Sequence, residues 1–293
     1  MSNRLLVPVL ALCVVALAGL NLWQYRARHQ PPPVAAQVAA KPPAPAPAAA
    51  KPAAANAPGP AGDKPAPVAP GETAPCQLSE RELIDRMLIR YTSGGETWQN
   101  NKWLGVPALK NPNDVWITQE ILTEVKPDFV IDSGTFAGGS AAIWATVLAQ
   151  VNPDARVITI DIQDNIAKPY KDTVPILKNK VDFLVGSSTA PEIVDEVKRR
   201  VDGHSAMVIL DSLHTKEHVL NELRAYAPLV PVGSYIIVED GVFNGHPVPE
   251  GWGPGPYEAI EAFLAENDSF VSDRSRERLL ITSNPKGFLK RVK

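Results

Sequence analysis

Residues 76 to 293 of this 293-residue chain predict an open α/β sandwich on a mostly parallel sheet. Three observations predict it. Apolar runs of strand length recur as FVID (129–132), RVITIDI (156–162), VDFLVG (181–186), AMVILD (206–211) and SYIIVED (234–240). Helix-length stretches separate them near 139–150, 190–201 and 215–228, while 163–180 is ambiguous. The runs are continuously apolar rather than alternating, as expected of strands covered on both faces. The expected architecture is therefore Rossmann-like and doubly wound.

The elements follow in order. Ser79-Glu80-Arg81-Glu82 has the form of a capping box, with Leu83, Ile84, Met87 and Leu88 at helical spacing behind it. A polar, Trp-bearing loop comes next, TWQNNKWLGVPALKNPNDVW. Asp114 is placed to cap a second helix that runs to Val125 and stops before Pro127. After the five runs the tail changes character. FVSD, RLLITS and GFLKRV read as strands without long helices between them, which predicts an antiparallel C-terminal edge.

Two segments precede this domain. From Leu5 to Trp23 no charge interrupts the chain. As a helix rising about 1.5 Å per residue this run would span about 28 Å, against ~30 Å for a bilayer core. Arg26 and Arg28 follow it and only Arg4 precedes it. Residues 1–30 are therefore expected to be a single-pass membrane anchor with the domain on the cytoplasmic side. A cleaved, exporting signal peptide is the alternative, since Ala16-Leu17-Ala18 has small-x-small form. Residues 31–75 hold about half of the 29 prolines amid alanines. Such a segment buries no core and is expected to be a disordered, partly polyproline II spacer.

Charge is near balance, 29 basic against 32 acidic side chains, which argues against a nucleic-acid partner. The two cysteines outline no disulfide framework. Oligomeric state is not set by the sequence, and a homo-oligomer stays open.

Ligands of open α/β sheets lie beyond the carboxyl ends of the strands. Asp132, Asp161, Asp211 and the pair Glu239-Asp240 stand there. Each acid could merely cap the next helix, but burying so many carboxylates is costly. The turn IDSGTFAGGSA carries Gly134, Gly138 and Gly139, with Phe136 where a dinucleotide fingerprint needs its second glycine and no P-loop lysine. Asp161, ending the next strand, is placed to accept hydrogen bonds from ribose hydroxyls. A nucleoside without phosphates fits both features, and S-adenosylmethionine is the common one. If the strands ending at 211 and 240 are neighbours, Asp211, Glu239 and Asp240 suit a hard cation such as Mg²⁺. Glu239 and Asp240 can share it only if the chain leaves the strand there, because successive strand residues face opposite sides. His214 is placed as a general base or metal-shell residue, and His218, a turn later, as a packing residue. The letters HTKEH also match an inverted zinc-protease motif, but a helix after a parallel strand is a poor context for it.

Taken together, these motifs resemble the cephalosporin hydroxylase and rhamnosyl O-methyltransferase family of class I S-adenosylmethionine-dependent methyltransferases. The matching pieces are WLGVPALKNPNDVW, IDSGTFAGGSA, VITIDI, VGSS, LDSLHTKEHVLNEL, SYIIVED, NGHPVPEGWGPGPYEAI and NPKGFLKR. The resemblance implies that Gly134, Thr135, Gly138, Gly139 and Ser140 line the methionine end of the cofactor. It places Asp161 at the ribose, Ser187 and Ser188 near the adenine, and Asp211, Glu239 and Asp240 at a divalent metal.

The expected function is Mg²⁺-assisted O-methylation of a sugar, glycolipid or related natural product. His214, or Asp211 itself, would take the hydroxyl proton. Trp98, Trp103 and Trp252 sit on loops that either close over the acceptor or simply pack. An inactive membrane-tethered binding protein of the same fold is the principal alternative. A hydroxylase is disfavoured by the lack of a 2-His-1-carboxylate triad, and a zinc hydrolase by the context of HTKEH.

Overall fold

The chain divides into two units, Met1–Ala69 and Pro70–Lys293. The computed structural model describes residues 78–93, 97–164, 166–249 and 253–293, all in the second unit. The expected anchor and spacer, and Trp252, lie outside the described residues. Among the described residues no helix is long and apolar enough to cross a membrane.

A seven-stranded sheet organises the domain. Strands β3 (Phe129–Ser133), β4 (Arg156–Asp161), β5 (Val181–Val185), β6 (Ala206–Leu210) and β7 (Tyr235–Val238) are parallel. Two more, β8 (Phe270–Ser272) and β9 (Phe288–Arg291), close one side in the spatial order β5-β4-β3-β6-β7-β9-β8. Only β9 runs against the rest, being antiparallel to both neighbours. A small hairpin of β1 (Lys102–Trp103) and β2 (Val106–Pro107) stands apart from the sheet.

Why the strands are apolar throughout is visible in the core. Val130, Val157, Met207 and Ile209 pack on one face with α2 (Pro112–Val125) and α3 (Gly139–Val151). Ile131, Ile158, Val208 and Ile236 pack on the other with α6 (Pro191–Val201), α7 (Lys216–Tyr226) and α8 (Pro256–Glu266). Successive strand residues point to opposite faces, so two helix layers demand an unbroken apolar run. The ambiguous stretch 163–180 resolves into two short helices, α4 (Lys168–Lys171) and α5 (Pro175–Lys180).

Other details differ from expectation. The capping box forms: Ser79 N–H donates to Glu82 Oε2 at 2.9 Å and Glu82 N–H to Ser79 Oγ at 3.2 Å. In α1 (Glu80–Ser93), however, only Ile84 and Leu88 of the four apolar residues pack against the core, while Leu83 and Met87 are exposed. The cap of α2 is Asn111, whose side chain accepts from Asn113 N–H; Asp114 instead turns inward. RLLITS is not a strand. Leu280 takes a left-handed φ of 68°, and the segment folds as a turn whose Thr282 and Ser283 bind Asp114.

The chain leaves β3 to reach β4 and β5 on one side, then returns to β6 on the other. Between β3 and β6 lies the switch point, where a ligand crevice opens. Two glycines let backbones meet there. A Cβ on Gly134 would stand 1.8 Å from the Asp211 carbonyl oxygen, and one on Gly139 would stand 2.1 Å from the Pro107 carbonyl oxygen.

Neither backbone oxygen can give way cheaply. Gly139→Ala is expected to destabilise the domain by at least ~2 kcal/mol in chemical denaturation. Gly203→Ala, where a Cβ meets nothing but φ is +76°, should cost only about 1 kcal/mol. Equal costs would show that the close approach at Gly139 is not a constraint.

Candidate active site

The glycine turn leads from β3 into α3. Gly138 adopts φ +89° at the helix N-cap and Phe136 adopts φ +47°. The Phe136 N–H donates to Asp161 Oδ2 at 2.8 Å, and Gln163 N–H donates to Oδ1 at 3.1 Å. Asp161 therefore ties the turn to the end of β4 while standing beside it. Gly134 N–H and Thr135 N–H both reach Ile160 O.

The side chains of the turn point inward. Ser140 Oγ donates to Asp132 Oδ2 at 3.0 Å, and Thr135 Oγ1 lies 2.7 Å from Thr159 Oγ1, which itself reaches Asp132. Trp144 Nε1 completes the set around Asp132 at 3.0 Å. Burial raises the Asp132 carboxyl, with Lys110 and these donors pulling the other way. Asp132 is thus an internal strut. The hydroxyls of Thr135 and Ser140 are therefore engaged internally, while the first turn of α3 leaves N–H groups without intrahelical acceptors.

Beyond β5, Ser187 Oγ lies 3.1 Å from Thr189 Oγ1. Ser188 Oγ donates to the fully buried Glu222 at 2.5 Å, and its carbonyl accepts from Tyr226 OH at 2.6 Å. His218 Nε2 is 3.1 Å from both Ser188 Oγ and Ser212 Oγ. His218 therefore supports packing under the 186–188 loop, in keeping with its expected role.

The acids converge on the other side of the switch point. Leu210 of β6 pairs with Val238 of β7, so Asp211 and Glu239 emerge side by side. The two strands are neighbours, as the expected metal arrangement required. Asp240 then takes φ +59° and departs from the strand. That departure meets the condition for sharing an ion, yet Glu239 turns to Lys110 and Asp240 to His214. One donor atom each from Asp211, His214 and Asp240 lies within 4.8 Å of the others, the single group able to hold a metal ion among the described residues. Glu239 is outside it. His214 Nε2 is 3.1 Å from Asp211 Oδ1 and 3.4 Å from Asp240 Oδ2. His214 and His218 face different neighbours, so HTKEH does not form a zinc pair.

Lys110 is the residue that sequence reading missed. It lies between β2 and α2, is only 7% exposed, and sets its ammonium 2.5 Å from Asp211 Oδ2 and 2.6 Å from Glu239 Oε2. It lies within the family-matching stretch WLGVPALKNPNDVW, but nothing in that stretch ties it to Asp211, 101 residues downstream.

The charges shape one another. Burial would lower the Lys110 ammonium, but Asp211 and Glu239 hold it above its usual range. Burial would raise Asp211, but Lys110 and then His214 hold it below the ordinary carboxylate range. Burial pushes Glu239 well up and Asp240 to about 6, with His214 opposing the latter. Burial likewise disfavours the His214 imidazolium, but Asp240 and Asp211 outweigh it and lift the ring to about 9. Trp98 and Trp103 serve packing: their indole N–H groups donate to Thr92 O and Thr146 Oγ1, each at 3.2 Å.

A doubly wound sheet with a non-phosphate glycine turn at its switch point and acids on the next two strands defines a Rossmann-like methyltransferase. Residues 95–292 match the family model for Rhamnosyl O-methyltransferase/CmcI. Rhamnosyl O-methyltransferases of Mycobacterium tuberculosis (strain ATCC 25618 / H37Rv) and Mycobacterium bovis (strain BCG / Pasteur 1173P2) are 39% identical over 205 residues, covering 68% of this chain and 82% of theirs. That of Mycobacterium leprae (strain TN) is 36% identical over 205 residues, 87% of its length. A solved CmcI structure with Mg and SAM aligns at TM-score 0.52 and 19% identity, covering 67% of this chain and 78% of that one, a likeness of fold. The chain belongs to the rhamnosyl O-methyltransferase/CmcI family. It is an S-adenosylmethionine-dependent O-methyltransferase.

One buried acid near the site gives a pH test. Asp114 accepts from Thr282 Oγ1 at 2.5 Å and from Ser283 N–H at 2.8 Å. Burial is the largest influence and pushes its carboxyl from 3.8 to about 7, those donors opposing it. An acid whose folded pKa is raised contributes stability that is fully present below its unfolded pKa and lost as pH rises through the folded one. Between pH 4 and 7 the wild-type melting temperature should therefore fall relative to that of Asp114→Asn, whose amide does not ionise. Parallel melting curves across this range would remove the assignment.

Proposed function

We propose that this enzyme methylates a hydroxyl of a sugar, most simply a rhamnosyl unit of a glycolipid or related natural product, with Mg²⁺ assistance. One observation carries the reading: Asp211, His214 and Asp240 converge beside the glycine turn. The sugar class is supported by the relatives named rhamnosyl O-methyltransferase at 39% identity.

Two carboxylates and an imidazole with donor atoms this close are chemically suited to a divalent cation. Asp211 and Asp240 would hold it, with Glu239 as the adjoining acid and the His214 imidazole beside them. When bound, S-adenosylmethionine supplies a methyl activated on sulfur and the cation supplies Lewis acidity toward an acceptor hydroxyl. The remaining work belongs to the chain. The backbone of Gly134 to Ser140 would cradle the methionine end, and Asp161 would accept the ribose hydroxyls. The loop Gly186-Ser187-Ser188 borders the adenine. In its neutral form His214 would accept the acceptor's proton at Nε2, and the charges of Asp240 and Asp211, which lift the ring to about 9, would stabilise the imidazolium that forms. Asp211, held low by Lys110, is the weaker base. Fixing acceptor oxygen, methyl carbon and sulfur in line then accounts for most of the acceleration asked of the protein.

An open surface hollow of about 530 Å³ lined by Asn244, Gly245, Pro249, Gly253, Pro254 and Glu258 is the proposed place for the acceptor. It adjoins His214 through its own wall: Lys216 N–H donates to Pro254 O at 2.9 Å, and a Cβ on Gly255 would meet His214 O at 3.3 Å. The uncharged run from Leu5 to Trp23 would hold the enzyme at the cytoplasmic face of a membrane, within the spacer's reach of a lipid-linked acceptor.

Calorimetry and methyl-transfer assays test the assignment together. Asp240→Asn should bind S-adenosylmethionine within about threefold of wild type yet lose Mg²⁺-dependent turnover, a ~10²-fold or larger fall in kcat. Full activity in that variant would remove the acid site from the mechanism. For the acceptor, mass spectrometry of lipid and glycan extracts from cells with and without the gene should show a glycolipid differing by one methyl group. Identical extracts would argue for another acceptor class.

A further inference from the structure

Lys110 has no role in the proton-transfer scheme above, yet it is the most deeply committed cation at the site. Its ammonium contacts two carboxylates from neighbouring strands, Asp211 Oδ2 at 2.5 Å and Glu239 Oε2 at 2.6 Å. Its backbone is pinned as well. The Lys110 N–H donates to Ala108 O at 2.9 Å and its carbonyl accepts from Asn101 Nδ2 at 2.9 Å. Burying an ammonium costs several kcal/mol unless its partners compensate it well, and these contacts are what compensate it.

The geometry divides Asp211 between two cationic environments. Oδ2 faces Lys110, whereas Oδ1 faces His214 and the group that includes Asp240. Glu239 is drawn the same way: its Oε2 is taken by the ammonium, which leaves it outside the converging group. A divalent ion entering among these acids would sit within a few ångströms of a fixed positive charge, inside a region where that repulsion is weakly screened. Both cations cannot hold Asp211 and Glu239 fully.

We infer that Lys110 is a built-in counter-cation that competes with the divalent ion for Asp211 and Glu239, holding the acid site together when the ion is absent and yielding those carboxylates when it binds. The inference rests on the metal reading given above. Reciprocity follows from linkage: whatever the ammonium takes from the ion's affinity, the bound ion takes from the ammonium's hold. Lys110 acts through the acids and is a positioning residue.

Two measurements on the full-length chain test this. In calorimetry with MgCl₂ and MnCl₂, Lys110→Gln, which keeps an amide donor but no charge, should bind either ion at least tenfold more tightly than wild type. Independently, the wild-type protein is treated with acetic anhydride and the acetylation of Lys110 followed by mass spectrometry. Saturating Mg²⁺ should raise its labelling severalfold, while Lys126 on the opposite end of α2 stays constant. Mg²⁺ affinity unchanged within twofold, or weakened, in a folded Lys110→Gln overturns the competition but leaves the metal site standing. So does labelling indifferent to Mg²⁺, a readout that needs no variant to fold. If neither ion binds wild type or Lys110→Gln, the metal reading itself falls and this inference with it.

Discussion

The close apposition of the ends of β3 and β6 is the constraint on which the rest of the structure depends. Asp211 N–H donates to Ser133 O at 3.0 Å, and the next residue of β3's chain is Gly134, lying against the Asp211 carbonyl. Any side chain at 134 would force these strands apart. Because they stay together, the cofactor turn that follows β3 and the acid that follows β6 open into one crevice. A methyl donor and a hydroxyl acceptor can then be brought within reacting distance by backbone geometry, before any side chain is considered.

Around that apposition the polar residues sort into two systems with different tasks. Asp132, Thr135, Ser140, Trp144 and Thr159 form a closed internal network that stiffens the turn. Asp211, His214, Asp240, Glu239 and Lys110 form an open one, in which opposite charges hold several buried ionisable groups at one place. In the first system burial is offset by neutral donors, and the result is rigidity. In the second it is offset by charge, and the result can respond to a ligand that brings charge of its own. The loop at 186–188 is braced from below by Glu222, His218 and Tyr226, so both rims of the crevice rest on fixed supports.

Much of this was legible in the sequence for reasons of period and position. Continuous apolar runs announced strands covered on both faces, and acids at their ends announced a site at the carboxyl edge. The failures are equally physical. RLLITS has strand composition, but Leu280 at positive φ and the pull of Asp114 on Thr282 and Ser283 turn it aside. Asp114 looked like a helix cap because the cap pattern is local, whereas its partners lie 168 and 169 residues away. Lys110 stood inside a matching motif, WLGVPALKNPNDVW, but its partners lie 101 and 129 residues away.

What the sequence determined by itself was the list of elements, their layering, the turn and the acids, together with the family they identify. These follow from propensity, periodicity and short motifs, which act over a few residues. Only the tertiary structure decided how the acids are shared: His214 joining Asp211 and Asp240, Glu239 drawn off to Lys110, Thr135 and Ser140 turned inward. That division depends on a buried ammonium delivered from a distant loop, which takes Glu239 although the chain leaves the strand at Asp240. Charge–charge energies in a desolvated crevice vary with separations of an ångström, and no spacing along the chain encodes those.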